Sequence, residues 1–183
     1  MVDKLWYKVA RLIVKSGVFP FPVSEALIEL LQELITEEQA KFLLKSFKKP
    51  SLTLEQIKEN SGMDETSILE MLDVLMHNGI IIGTKSKKSG LRIYRLMGTY
   101  PGIFEYTNLR GETDEKHIKL ARMFQKLFSE RRGMNEENYE TMINTFKNFP
   151  PTDRTLPVEK EVELGTETVI PIEEIKKYVE EYD

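Results

Sequence analysis

The 183-residue chain contains no cysteine. That absence excludes disulfides, thiolate nucleophiles, thiolate zinc sites and cysteine-ligated iron–sulfur clusters within these residues. Histidine is almost as scarce. His77 and His117 are the only two, in segments that read as different helices, and no second ligand-type residue at helical ligand spacing stands out beside either. There is no glycine-rich phosphate loop: Gly79 and Gly83 flank a β-type run without Walker or dinucleotide spacing. No Ser/His/Asp nucleophile arrangement occurs, and carboxylate pairs such as Glu136-Glu137 and Glu180-Glu181 sit near helix ends or in an acidic tail. The inventory points away from an enzyme and from a bound metal or cofactor in this chain. Nor is there a run of the roughly 18–20 apolar residues that crosses a bilayer. Lys and Arg number 26 against 30 Asp and Glu, a net charge of -4, which argues against a protein that coats nucleic acid.

What is present fits a globular, cytoplasmic protein: 40% apolar residues, 31% charged and 9% aromatic. Leu5, Trp6, Val9, Leu12 and Ile13 recur at helical spacing among Asp3, Lys4, Lys8 and Arg11, so residues 1–14 read as an amphipathic helix packed on the body, not a signal peptide. Pro20 and Pro22 break it, and Leu27, Ile28, Leu30, Leu31 and Leu34 predict a second helix. Thr36 with Gln39, and Thr53 with Gln56, have capping-box spacing, opening helices to about Phe47 and Asn60. Ser61-Gly62-Met63 reads as a tight turn. Asp64 caps a third helix, which Gly79 stops near Asn78. The period then changes: Ile80-Ile81-Ile82 and Leu91 to Leu96 predict a hairpin about a polar turn at 86–90.

Three helices, the last two joined by a short glycine turn, then a hairpin, predict a winged helix-turn-helix over residues 36–97. The expected fold class is mainly α with a small β-hairpin: this core, N-terminal helices over 1–35, a helical subdomain over 98–150, and an irregular linker and C-terminal helix over 151–183. Within the subdomain, Leu120, Phe124, Leu127 and Phe128 stripe a helix from Thr113 to Arg132. Gly133 should end it, and Asn135 should cap another helix to about Asn148. Val158 to Leu164 hints at a strand, and Pro171 is placed to start a final helix. Phe104, Tyr106, Phe124, Phe128, Phe146 and Phe149 read as core rather than as a ligand cage.

Charge tests whether such a fold reads DNA. Its groove-entering helix, 64–78, carries Asp64, Glu65, Glu70 and Asp73 and neither Lys nor Arg, so carboxylates would face phosphates at short range. The hairpin is the reverse, with Lys85, Lys87, Lys88, Arg92 and Arg95. Lys85, Lys87, Lys88 and Arg92 are therefore the candidate contacts of an alternative, wing-led DNA-binding regulator. The preferred reading is a protein-interaction module, with DNA disfavoured and a membrane or small-molecule ligand not expected. His77, at a helix C-terminus, reads as a dipole-complementing cap. Glu115 and His117 read as part of a solvated face.

Several blocks carry a family resemblance: Phe21-Pro22-Val23-Ser24-Glu25-Ala26-Leu27, Leu34-Ile35-Thr36-Glu37-Glu38-Gln39-Ala40, Thr53-Leu54-Glu55-Gln56-Ile57, Pro101-Gly102-Ile103-Phe104-Glu105 and Val169-Ile170-Pro171-Ile172-Glu173-Glu174-Ile175. Together they resemble the N-terminal winged-helix region of anaerobic ferredoxin-type proteins that hold two four-iron four-sulfur clusters. The resemblance implies a scaffold role in electron transfer, docking a protein partner or the protein's own cluster domain. In that family the cluster-ligating cysteines follow the last of these blocks; this sequence stops at Asp183 without them, as expected either of a chain cut at the domain boundary or of a natural version lacking the electron-transfer half, so no functional residue carries over.

Overall fold

Short polar side chains set where the helices begin. In the computed structural model, which describes residues 3–18, 21–87, 90–148, 162–164 and 167–169, Asp3 accepts the Leu5 N–H at the start of α1 (Lys4–Ser16). Ser24 does the same for Leu27 in α2 (Glu25–Leu34). Both sequence-predicted capping boxes close reciprocally: Thr36 with Gln39 opens α3 (Glu37–Ser46), and Thr53 with Gln56 opens α4 (Leu54–Ser61). Gly62 ends α4 at φ 64°, and Asp64 accepts the Ser67 N–H to begin α5 (Glu65–His77). These satisfy donors that a helix N-terminus otherwise leaves without partners.

Three strands complete this part: β1 (Ser51–Thr53), β2 (Ile81–Lys85) and β3 (Arg92–Leu96), antiparallel in the order β1-β3-β2. The sequence reading has no β1; there Thr53 only starts a helix. Three residues are too few to display a period, and β1 exists because Leu52 pairs with Tyr94 while the Pro50 carbonyl accepts the Leu96 N–H at 2.8 Å. The observed architecture is thus mainly helical with a small three-stranded antiparallel sheet, one strand more than the expected hairpin.

Past the sheet, Pro101 and Gly102 lead into a short helix, α6 (Ile103–Asn108), preceding α7 (Glu115–Glu137). Here the sequence reading needs correction. Gly133 does not stop α7, and Asn135 caps nothing; the helix runs on to Glu137 and ends at Asn138. A lone interior glycine costs a helix about 1 kcal/mol, which the turns on either side outweigh.

One core joins the elements between residues 3 and 138. Trp6, Val9 and Ile13 of α1, Leu27, Leu30 and Leu31 of α2, Leu43 of α3, Ile68, Leu72 and Leu75 of α5, and Leu120, Phe124 and Leu127 of α7 are all buried in it. The apolar face of α1 is thereby spent on protein packing. Phe104, Phe124 and Phe128 meet edge-on or stacked, with Phe104 5.1 Å from each of the other two, and Tyr100 and Phe21 extend the cluster. Lys126 to Glu29 at 2.7 Å, and Lys119 to Glu33, tie α7 to α2.

Residues 139–183 form a second compact unit. Its described parts are α8 (Tyr139–Lys147) and a hairpin of β4 (Val162–Leu164) with β5 (Glu167–Val169), Val162 opposite Val169. The boundary falls inside the stretch 98–150 that the sequence reading groups together. Within the expected irregular linker, residues 162–164 and 167–169 are instead paired strands; residues 151–161 and the helix expected after Pro171 lie outside the described residues, as do Phe149 and the side chain of Phe146. Among the described residues no helix is long and apolar enough to cross a membrane.

Candidate docking surface

The element whose charge argued against DNA keeps that character in three dimensions. Ile68, Leu72 and Leu75 turn the inner stripe of α5 into the core. Glu65, Thr66, Leu69, Glu70, Asp73 and Val74 are left exposed. Leu69 and Val74 are 39% and 44% accessible, so two branched apolar side chains lie in an acidic surround. Glu65 reaches Lys58 of α4 at 3.4 Å, whereas Glu70 and Asp73 have no ion-pair partner among the described residues. Asp64 is engaged as the cap: the Ser67 backbone N–H and then its hydroxyl donate to the carboxylate and hold its pKa below the ordinary range.

The basic hairpin does not form one patch. Lys85 stands opposite Arg92 in the β2–β3 register, both exposed, and Lys87 is exposed in the turn; Lys88 lies outside the described residues. Arg95 faces the other way. It lies three positions from Arg92 on β3, and alternation sends Tyr94 and Leu96 inward on one face while Arg95 goes to the opposite face with Ile82. A nucleic acid lying on Lys85 and Arg92 would therefore not gain Arg95 from the same strand face.

The two histidines, far apart in sequence, belong to one polar network. Arg110 donates to the His77 carbonyl at 3.0 Å, and its other terminal nitrogen lies 3.4 Å from His77 Nε2. Arg110 thereby adds a second donor at the end of α5, where His77 stands in the last turn. Arg110 also meets Glu112 at 3.3 Å, and Glu112 meets His117 Nε2 at 2.8 Å. His117 Nδ1 lies 2.7 Å from Asp114, the cap of α7. The His117 backbone N–H and then its ring lower the Asp114 pKa. His117 is 13% accessible, which corrects its assignment to a solvated face. Both its nitrogens are engaged by carboxylates, and the pocket beside the network is about 30 Å³, room for one water. The arrangement clamps the turn between α6 and α7 to the end of α5. Sequence reading missed Arg110 and Glu112 because no period marks a loop residue that bridges 33 positions.

The ligand chemistry of an iron–sulfur cluster does not fit these residues. The sequence has no cysteine, and among the described residues no group of three His, Asp or Glu could hold a metal ion. Comparison with protein-family models, with curated proteins and with solved structures finds no match for this chain.

Proposed function

We propose that this chain is a non-catalytic, cytoplasmic winged-helix module that docks a protein, with the outer face of α5 as its contact surface. The order α3-β1-α4-α5-β2-β3 with the sheet order β1-β3-β2 supports the winged-helix reading. The observation that carries the docking role is the exposed pair Leu69 and Val74 set among Glu65, Glu70 and Asp73. Such a surface repels phosphates but complements a partner presenting an apolar contact ringed by Lys and Arg. The blocks quoted from the sequence suggest an iron–sulfur electron-transfer assembly, in which the clusters would be held outside these 183 residues.

A double charge reversal, Glu70→Lys with Asp73→Lys, tests the role. Both side chains are exposed, so the fold is expected to survive with an unchanged unfolding midpoint. Affinity capture with quantitative mass spectrometry should then recover a partner with the wild type and lose it with the variant. Equal recovery by both would defeat the reading. A second reading, a wing-led DNA binder, is favoured only by the exposed Lys85, Lys87 and Arg92. It requires steeply salt-dependent binding of duplex DNA that Lys85→Ala with Lys87→Ala weakens; the docking reading expects none.

A further inference from the structure

The outer face of the sheet borders a second concavity that the docking surface does not use. α6 and the chain just after α1 stand beside Arg95 and Met97, enclosing a cleft of about 520 Å³. That lies within the roughly 300–1,000 Å³ of sites that hold small organic molecules. Its walls are mainly apolar, formed by Val18, Met97, Pro101 and Leu109. Leu109 is 76% accessible and Val18 52%, the first and second most exposed large aliphatic side chains among the described residues. Leaving both at the rim of one cleft costs solvation that a bound apolar group would recover.

Two charged groups reach this space, and they differ in what they already hold. The Glu105 carboxylate accepts the Gly102 N–H at the start of α6, so it is engaged by the backbone. The Arg95 side chain is exposed and has no hydrogen-bond or ion-pair partner among the described residues. An apolar trough with one uncommitted guanidinium at its side is complementary to a molecule with an apolar body and one planar anionic end. We propose that the cleft binds an amphipathic monocarboxylate. Its alkyl or aryl part lies along Val18, Met97 and Leu109, and its carboxylate pairs with Arg95. The sequence reading had no route to this site, because its residues come from the end of α1, β3 and the α6 segment and share no motif. The proposal shares no residue with the α5 surface, so either can fail alone.

Isothermal titration with decanoate, and with decanol as its uncharged counterpart, tests it on the full chain. Decanoate should bind one site with a Kd in the sub-millimolar range. Arg95→Gln should weaken decanoate about tenfold, the loss expected when one charged hydrogen-bonded partner is removed, while decanol binds wild type and variant alike. Leu109→Ser should weaken both ligands about threefold. Should Arg95→Gln disturb the sheet, shown by a lowered unfolding midpoint, the highly exposed Leu109 gives the deciding measurement. Absence of saturable decanoate binding to the wild type would overturn the proposal, as would affinities that neither substitution changes.

Discussion

The segment from α3 to β3 and the segment from α6 to α7 share one core, yet they are specified differently. In the first, every helix carries its own start signal within three residues: Thr36 with Gln39, Thr53 with Gln56, Asp64 with Ser67. The second has a local cap at Asp114, but it and the loop leading into it are also held by contacts that span long stretches of chain: Gly98 against Gly17, Lys126 with Glu29, Arg110 with the end of α5. Local signals are numerous and each is worth about 1 kcal/mol. A buried long-range contact weighs more, and a single loss there costs several times that. The first segment is therefore robust to any one change at a cap. The second should be fragile at a few positions.

Phe124→Ala tests this most severely. Phe124 is 1% accessible and meets Phe104 and Phe128, so its truncation should cost about 3–5 kcal/mol. Because Leu120 and Leu127 share a core with Leu72 and Leu75, the loss should appear as one lowered unfolding transition, followed by circular dichroism in urea. Two separated transitions, with α7 leaving first, would break the picture of a shared core. Gly98→Ala should have the next largest effect. A methyl group there would strike the Gly17 backbone, which cannot swing aside as a side chain can, and overpacking of that kind costs about 1–3 kcal/mol. A thermal midpoint equal to wild type would mean that α1 and the loop after β3 are not pressed together as described.

The same contrast explains what could be read from residues alone. The caps, the Gly62 turn and the apolar stripe of α5 are written within short windows, and their elements appear within a residue or two of expectation. β1 escapes because its reason for existing, Leu52 against Tyr94, lies about forty residues away. Gly133 misleads because glycine permits a helix stop without imposing one: it keeps a negative φ inside α7, which ends at Asn138. The acidity of α5 was legible, since charge needs no fold to be counted. That Arg95 and Arg92 part company required the strand register, and that His77 and His117 share a network required Arg110 between them.

Acid titration sharpens the comparison with its smallest effect, because it probes one cap from each segment. Asp64 opens α5, and Asp114 opens α7; each accepts the backbone N–H of the residue three positions on, and each carboxyl is thereby held below its ordinary pKa. A carboxylate whose pKa is lower in the folded than in the unfolded chain contributes its full stability above the unfolded value of about 3.9 and loses it as pH falls toward the folded value. The urea midpoint should therefore decline as pH drops from about 5 through 4 and below. Asparagine still caps but cannot titrate, so Asp64→Asn and Asp114→Asn should each flatten that decline. The two should also differ at neutral pH. Asp64→Asn disturbs only a local turn with Ser67, whereas Asp114→Asn also removes one of the two carboxylates engaging His117 and so loosens the α6–α7 turn that Glu112 and Arg110 fasten to α5. Hydrogen exchange should accordingly rise across residues 109–114 in Asp114→Asn and not in Asp64→Asn. Identical exchange in the two variants would remove the distinction between a cap that acts alone and one built into a long-range clamp.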